Sequence, residues 1–287
     1  MKPRIEEWRY GLYLIGRNPL TRAALIVVIG LVVVAIFAPL LAPYPEHARG
    51  LANPREKLLP PSLAHPFGTD ELGRDVLSRV IFGTRISLQI GVLAVGLSLL
   101  IGVPLGVVAG YAGGKVDEAI MRITDIFLSF PPLLLAIAIA AFLGPSLRNA
   151  MIAIAIAWWP WYTRLLRSQA ISTRERPFVA AAKAIGTSGF RIVTTHILPN
   201  CMGPVIVQAS MDFGSVVLTS AALSFLGLGA QPPTPEWGLM LSTSRNYFLT
   251  AWWYSMFPGA AMFITVLVFN LLGDGLREIL DPKTRRL

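Results

Sequence analysis

The sequence of 287 residues carries few side chains of the types and spacing that catalysis needs. Residues 109–115 read A-x-x-x-x-G-K and so resemble a phosphate-binding loop, but Val116 stands where a Ser or Thr would hold Mg²⁺. The sequence contains neither H-E-x-x-H nor G-x-S-x-G, the patterns of a zinc protease and of a serine nucleophile. Three histidines and the single Cys201 offer little material for a metal site. We therefore predict that the chain is not an enzyme and holds no cofactor or metal of its own.

One carboxylate stands inside an otherwise apolar run. Asp212 is the charged residue of the stretch 202–228. An acid near the centre of a bilayer costs about 2.5–3.5 kcal/mol on insertion scales unless it faces protein or water. Asp212 either lines a polar path through the membrane or pairs with a neighbouring helix, and the sequence leaves both interpretations open.

Three further charged residues, Asp117, Arg122 and Asp125, stand at the start of another apolar run. Arg122 precedes Asp125 by three residues, so the two side chains share one face of a helix and can pair. The pattern indicates a solvated ion pair or, alternatively, part of a gate.

The composition identifies the kind of structure that must position these groups. Hydrophobic residues make up 54% of the chain and charged residues 14%, whereas an ordinary soluble domain has about 25% charged residues. A soluble protein could not cover that much apolar surface. The net charge of +9 would suggest a nucleic-acid partner in a soluble protein, but in a membrane protein Lys and Arg collect on the cytoplasmic side. The composition therefore predicts a polytopic protein of the lipid bilayer without a nucleic-acid partner.

Six apolar runs predict an all-α bundle of six transmembrane helices, because a span needs about 20 apolar residues. The predicted spans are 23–42, 86–110, 126–143, 149–163, 202–228 and 251–273. The run 149–163 is short, but Arg148 and Arg164 can reach the two interfaces. The first run could also be a signal peptide, although no clean cleavage site follows it.

The polar segments predict the orientation of the bundle. Segments 1–22, 111–122, 164–204 and 273–287 lie on one side of the six-span arrangement and hold 17 of the 25 Lys and Arg, which leaves eight for the other side. Because basic residues concentrate on the cytoplasmic side, we expect both termini in the cytoplasm.

Glycines in the second span predict how it packs. Gly102, Gly106 and Gly110 recur every fourth residue and therefore lie on one helix face. A row of small residues lets a second helix approach closely. Such a row is found in many bundles and does not by itself indicate a function.

The segment 164–204 contains a candidate amphipathic helix. Ser172 or Thr173 can cap it, and Gly186 or Gly189 can end it. The apolar residues at helical spacing are Phe178, Ala181, Ala182 and Ile185. A short helix of this kind either fits a groove on a partner protein or lies on lipid head groups.

The same segment resembles a known family. Ala181-Ala182, Gly186 and the later Leu198-Pro199 are similar to the "EAA" motif of ABC importer permeases. The chain further resembles one branch, the second permease of dipeptide, oligopeptide and nickel importers. The stretches that carry this likeness are 18–20, 67–79, 110–117, 222–229, 231–235 and 270–282. They follow one another in the family's order along nearly the whole chain.

The resemblance implies the type I ABC importer permease fold, with a cytoplasmic segment 1–22, a first helix 23–42, an extracytoplasmic loop 43–85 and a five-helix core 86–287. It also implies a bacterial inner-membrane protein that pairs with a sister permease. Two ATP-binding subunits and an extracytoplasmic solute-binding protein would be its other partners, and ATP and Mg²⁺ would be bound by the ATP-binding subunits. Peptides are the expected cargo, with nickel chelates or glutathione as alternatives. A carrier driven by an ion gradient is an alternative of another class, but the sequence has no visible repeat and a single acid well inside a span.

The resemblance also implies roles for individual residues. Those of the coupling loop, which docks on an ATP-binding subunit, are Arg174, Glu175, Arg176, Phe178, Ala181, Ala182, Gly186, Leu198 and Pro199. We expect Asp212 and Ser220 to line the translocation path, where Asp212 could bind the N-terminal ammonium of a peptide. The chain departs from the family at two positions, because Ala180 replaces the Glu that opens the motif and Ser220 stands where an acid is frequent. The docking helix should persist, since Ala favours helix formation.

Overall fold

The computed structural model describes residues 18–280; most of the predicted segment 1–22 and the tail 281–287 lie outside this range. Within it the chain is almost entirely helical, and its one extended pairing is an isolated bridge between Thr69 and Asp75. The helices are α1 (Pro19–Leu41), α2 (Pro45–Ala48), α3 (Val76–Ala112), α4 (Gly114–Leu128), α5 (Pro132–Leu143), α6 (Leu147–Arg174), α7 (Pro177–Ala184), α8 (Gly189–Phe225), α9 (Trp237–Ser244) and α10 (Trp252–Leu280).

Polar caps and glycines determine where several helices begin and end. Asn18, Asp75 and Ser146 precede α1, α3 and α6, and each side chain accepts a backbone N–H of the first turn. Gly113 follows α3 with a φ of 67°, and Gly144 follows α5 with a φ of 90°. Glycine adopts these left-handed conformations without strain.

Five of the six predicted apolar runs fall mainly on a single helix, and the third is divided between α4 and α5. The helices α1, α3, α8 and α10 are long and apolar enough to cross a membrane, and α4 with α5 forms one further, bent candidate. Helix α6 has 28 residues and therefore extends about 42 Å, but its arginines make it less apolar. It packs against α3, α5 and α8, so protein covers much of its surface.

The third predicted run is broken where the sequence predicted one helix over 126–143. Helix α4 ends at Leu128 and α5 begins at Pro132, and the two axes are bent by 86°. A proline lacks the N–H that would continue the helix, and it restricts the residue before it to extended backbone. Pro131 has that conformation, with a ψ of 128°. Helix α5 is about 18 Å long, too short to cross the bilayer by itself.

The structure confirms the close contact predicted for the glycine row of α3, and the partner is α6. A Cβ on Gly102 would lie 2.6 Å from the carbonyl oxygen of Trp159, and a Cβ on Gly110 would lie 2.7 Å from that of Arg167. Gly106 between them faces the carbonyl of Thr163 with equally little room. The two backbones therefore touch along the row.

The long helices define two ends of the bundle. We call the end where α3 finishes and α7 lies the basic end, and the end of loop 43–75 the opposite end. Helices α3 and α6 run from the opposite end to the basic end, and α8 returns. The basic end is closed by a basic-end cluster of buried apolar residues: Val107, Leu166, Ala170, Val179, Ala182, Ile192, Ile197, Cys201 and Val205.

Helix α1 lies on the outside of the bundle. It packs on α3 and α10, and its buried side chains are small: Thr21, Ala24, Ala35 and Ala38. The rest of the helix exposes large apolar residues, which is typical of a span that faces lipid.

Candidate functional site

The coupling-loop helix exists, but it begins later than the sequence predicted. Helix α7 starts at Pro177 with Arg176 before it, and no side chain caps it. Ser172 and Thr173 instead end α6, where Thr173 is buried and its hydroxyl lies 3.5 Å from the sulfur of Cys201. Proline is well suited to the first helical position, since the N–H it lacks would be unpaired there in any case.

Gly186 ends this helix, as the sequence predicted. It follows α7 with a φ of 76°, a conformation that favours glycine. Its N–H donates to the carbonyl of Lys183 at 3.0 Å and the next N–H, of Thr187, donates to that of Ala182 at 3.1 Å. These bonds close the helix and turn the chain towards α8.

Helix α7 has an inner and an outer face. Val179 and Ala182 are buried in the basic-end cluster. Phe178, Ala181 and Ile185 point outward, and Ile185 is 84% exposed. Of the residues predicted to form the apolar stripe, Ala182 therefore belongs to the inner face and the other three to the outer face.

The start of α8 also exposes a large apolar side chain. Phe190 is 81% exposed, and the cations Arg176, Lys183 and Arg191 of the same stretch of chain are exposed too. This stretch of chain combines large exposed apolar side chains with positive charge. An exposed apolar patch typically marks an interaction site, which makes this stretch the candidate for one.

Arg174 and Glu175, at the end of α6, do not belong to the outer face of α7. The Nη1 atom of Arg174 donates to the carbonyls of Gly110 and Tyr111 at 3.2 and 3.1 Å, and its Nε donates to Glu175 at 3.0 Å. Arg174 therefore points into the bundle and joins the last turns of α6 and α3.

Leu198 and Pro199 lie at an irregularity of α8. Residues Ile192–Ile197 form a π-helical turn, in which the N–H of Leu198 donates to the carbonyl of Val193, five residues back. Pro199 has no N–H to donate, and the side-chain amide of Asn200 donates to the carbonyl of His196 at 2.6 Å. Such turns frequently lie at functional positions in helices.

The charged residues of α4 pair with α6. Asp117 accepts two hydrogen bonds from Arg167, and Asp125 accepts one from Arg164 at 2.6 Å. Arg122 lies 3.5 Å from Glu118, with both side chains largely exposed. The sequence predicted that Arg122 would pair with Asp125, and the structure does not have that pair, because two arginines of α6 take the aspartates.

Asp212 lies among polar neighbours in the middle of α8. Gln208 donates to its Oδ1 at 3.0 Å, and the hydroxyl of the fully buried Tyr162 faces the same carboxylate. Within residues 18–280, neither that hydroxyl nor Oδ2 of Asp212 has a hydrogen-bond partner of standard geometry. Asp212 is half-buried and lies on the helix face that Gln208 and the exposed Ser215 share, while its Oδ2 atom is itself buried.

Ser220 does not join this face. Its side chain is fully buried, and in the described part of the chain its hydroxyl oxygen has no partner. Ser220 lies eight residues after Asp212, which turns it to a neighbouring side of the helix. The structure thus separates the two residues that the sequence predicted to line one path.

Loop 43–75 contains a charged network that the sequence analysis missed. Arg74 Nε donates to Asp70 Oδ2 at 2.7 Å, while His65 lies between Asp75 at 2.9 Å and Glu56 at 3.3 Å. Apart from Glu56 these side chains are buried. Charged residues are dense in the stretch 67–79, which indicates a charged network there. Their positions along the chain do not show which side chains contact one another.

A second feature of the opposite end is the segment around the short helix α9, which packs against α8 and α10. Glu236 caps α9 by accepting the N–H of Leu239 at 2.8 Å and is almost fully buried. Burial raises the pKa of this carboxyl, and hydrogen bonds from Leu239, Gly238 and Ser224 oppose the shift. The next residue, Trp237, donates to the carbonyl of Val80 in α3 at 3.1 Å.

Across residues 18–280, no three His, Cys, Asp or Glu side chains are placed to hold a metal ion together. The features that could take part in a function are the exposed apolar and basic stretch at the basic end and the half-buried carboxylate of Asp212.

Known proteins are similar to this chain in sequence and in fold. Residues 102–286 match the model of the binding-protein-dependent transport system inner membrane component, and residues 8–61 match the N-terminal TM domain of oligopeptide transport permease C. The dipeptide transport system permease protein of Alkalihalophilus pseudofirmus is 50% identical over 98% of this chain and 91% of its own length. The di/tripeptide transport system permease protein of Pseudomonas aeruginosa is 47% identical over 88% of this chain and 84% of its own.

A further relative is similar in sequence, and a solved structure is similar in fold. The glutathione transport system permease protein of Pectobacterium atrosepticum is 42% identical over 99% of this chain and 92% of its own. The inward-facing MetNI methionine ABC transporter contains a chain with the same fold, at a TM-score of 0.57 and 19% identity, over 71% of this chain and 96% of that one. This chain belongs to the family of binding-protein-dependent transport system inner membrane components.

Proposed function

We propose that the chain is the permease subunit of an ABC importer for di- or oligopeptides. The observation that carries the proposal is the 50% identity, over 98% of this chain, to a dipeptide transport system permease. The sister permease, two ATP-binding subunits and a solute-binding protein are its proposed partners. ATP and Mg²⁺ act in the ATP-binding subunits, and this chain contributes the path and the docking surface.

The outer face of α7 is the proposed docking surface for the ATP-binding subunit. Ile185 and Phe190 are almost fully exposed, and the same stretch of chain carries three exposed cations, so a partner groove with apolar walls and an acidic rim would complement it. Val179 and Ala182 hold the helix on the ends of the spans. A displacement of α7 by the partner would therefore be transmitted to α3, α6 and α8, whose residues share this cluster.

The proposed path runs along the face of α8 that carries Gln208, Asp212 and Ser215. Polar side chains in a span face protein or water, because lipid cannot pair with them. This face is partly exposed in the single chain and would meet the sister permease in the assembly. The Asp212 carboxylate is the group on it that could bind the ammonium of a peptide. Ser220 is buried elsewhere, so the proposed path does not include its side chain.

The orientation follows from the docking proposal. With the basic end in the cytoplasm, both termini lie there too, and loop 43–75 faces the solute-binding protein. The buried Cys201 is the one cysteine of the sequence, which makes labelling simple. We expect an impermeant thiol reagent to label Leu63→Cys in intact cells and Ile185→Cys after lysis.

The function is tested by reconstitution with the partner subunits in proteoliposomes. We expect ATP-dependent uptake of a dipeptide delivered by the binding protein. We also expect Ile185→Asp to reduce the co-purifying ATP-binding subunit by about tenfold or more, whereas Leu63→Asp, fully exposed at the opposite end, leaves it unchanged. Uptake of a nickel chelate or glutathione alone would replace the peptide assignment. Uptake by this chain alone in an ion gradient would overturn the proposal.

A further inference from the structure

Tyr111, in the last turn of α3, contacts three parts of the loop between α6 and α8. Arg174 Nη1 donates to its carbonyl at 3.1 Å. The ammonium of Lys183, in α7, lies 5.7 Å from the centre of its ring. A Cβ on Gly189 would lie 3.2 Å from its hydroxyl oxygen, so the start of α8 also touches this side chain.

The chemistry of these contacts is specific. The last carbonyls of a helix have no partner within the helix and carry partial negative charge, so the Arg174 guanidinium caps α3 from another helix. A cation over an aromatic ring is attracted by the ring's electrons, which links Lys183 of α7 to α3. The ring also packs against the basic-end cluster. Tyr111 is thus the point at which α6, α7 and α8 all meet α3.

Helix α3 continues from this point to the opposite end. Its 37 residues extend about 55 Å. Near its other end, Arg79 donates to the carbonyl of Pro233 at 3.3 Å, and Val80 accepts the indole N–H of Trp237. Helix α3 therefore connects Tyr111 with the segment around α9.

We propose that Tyr111 is a positioning residue that transmits movement of α7 to α3, and through α3 to the segment around α9. This inference rests on the proposed function, in which α7 docks on an ATP-binding subunit. Only two residues, Glu175 and Arg176, connect α6 to α7. At the start of α7 the chain therefore joins this helix directly only to the end of α6. The contacts of Lys183 and Gly189 with Tyr111 connect α7 and the start of α8 to α3 as well.

The experiment compares Tyr111→Ala and Tyr111→Phe in the complete transporter in proteoliposomes. The readout is peptide taken up per ATP hydrolysed, with the loaded binding protein present. We expect this ratio to fall about fivefold in Tyr111→Ala, the lower range of coupling between sites, while ATP hydrolysis continues. Tyr111→Phe keeps the ring and should keep the ratio. Lys115→Gln, which removes an exposed cation at the same end, is the matched control.

The outcomes separate the two proposals. An unchanged ratio in an assembled Tyr111→Ala transporter overturns the role of Tyr111 and leaves the proposed function intact. If Tyr111→Ala does not assemble, Tyr111→Leu decides, because it fills apolar space at this position, removes the ring that Lys183 faces and leaves the proposed docking surface unchanged. A wild-type complex that binds no ATP-binding subunit overturns the proposed function, and the inference with it.

Discussion

Arg167 of α6 and Asp117 of α4 form a two-pronged ion pair, with Nε to Oδ1 at 2.5 Å and Nη2 to Oδ2 at 2.6 Å. The two residues are 50 positions apart, and the pair fixes α4 to the central helix of the bundle. Asp117 is only 17% exposed and Arg167 33%. A planar pair of this kind has better geometry than most surface ion pairs.

Breaking this pair should lower the stability of the basic end. We expect Asp117→Asn to cost about 1 kcal/mol, the upper range for partly exposed pairs, and to lower the thermal midpoint in detergent by about 2–4 °C. Arg122→Gln is the matched control, because its pair with Glu118 is longer and more exposed. The double variant with Asp and Arg exchanged between 117 and 167 should recover part of the loss. Equal midpoints for Asp117→Asn and Arg122→Gln would contradict this role.

The glycine row of α3 allows a sharper comparison within one helix. Gly106 touches the backbone of α6, whereas a Cβ on Gly96 would meet nothing within 4 Å. We expect Gly106→Ala to destabilise the protein by about 1–3 kcal/mol, the typical cost of overpacking. Gly96→Ala should be neutral or stabilising, because Ala favours a helix. Thermal midpoints and the amount of protein in membranes measure both effects, and a Gly106→Ala variant as stable as Gly96→Ala would argue against close packing.

The sequence predicts those parts of the fold that depend on local pattern. Apolar runs reveal the spans, the spacing of Gly102, Gly106 and Gly110 reveals a close contact, and Gly186 reveals a helix end. The sequence could not predict that α6 is the helix that contacts the glycine row, because α3 and α6 are brought together by tertiary packing. The break at Pro131 was missed because the apolar run continues through it, and hydropathy does not record a bend.

The sequence predicted where the helix of the candidate site lies in the chain, but it did not predict which side chains are buried or which charged residues pair. The motif located α7, but its inner face is Val179 and Ala182, and the spacing alone could not assign the faces. Arg122 and Asp125 fit a helical pair in sequence, yet Arg164 of another helix binds Asp125. A charged side chain can pair with a residue that is distant in sequence instead of a neighbour on its own helix. A single sequence does not show which of the two partners it binds.

The buried carboxyl of Glu236 predicts a dependence of stability on pH. Burial raises the pKa of this group in the folded protein, so the stability it contributes is complete below the ordinary glutamate value of about 4.3 and is lost as the pH rises through the folded value. Glu236→Gln cannot ionise and can still accept the N–H of Leu239. We therefore expect it to raise the thermal midpoint over wild type at pH 8, with a smaller difference at lower pH.

The control for this prediction is Glu118→Gln, whose side chain is largely exposed and should change the midpoint little at any pH. The melting curves are recorded in detergent over a pH series. A difference between wild type and Glu236→Gln that stays constant from pH 5 to pH 8 would show that ionisation of Glu236 does not oppose folding.

Asp212 supplies the most direct test of the path. Asp212→Asn keeps the size of the side chain and the contact with Gln208 but removes the charge. A charge-assisted hydrogen bond contributes about 1.5–3 kcal/mol, so we expect uptake at low peptide concentration to fall about ten- to hundredfold, while assembly with the ATP-binding subunits is unchanged. Uptake in proteoliposomes and co-purification measure the two quantities.

Two comparisons separate a path role for Asp212 from a structural one. Asp212→Glu restores the charge and should recover part of the uptake, whereas a purely structural carboxylate would tolerate Asn better than the longer Glu. Tyr162→Phe removes the hydroxyl that faces the carboxylate and leaves the charge in place. If the Asp212 charge binds the ammonium of the peptide, Tyr162→Phe should affect uptake less than Asp212→Asn. Normal uptake by Asp212→Asn would exclude this carboxylate from an essential place in the path.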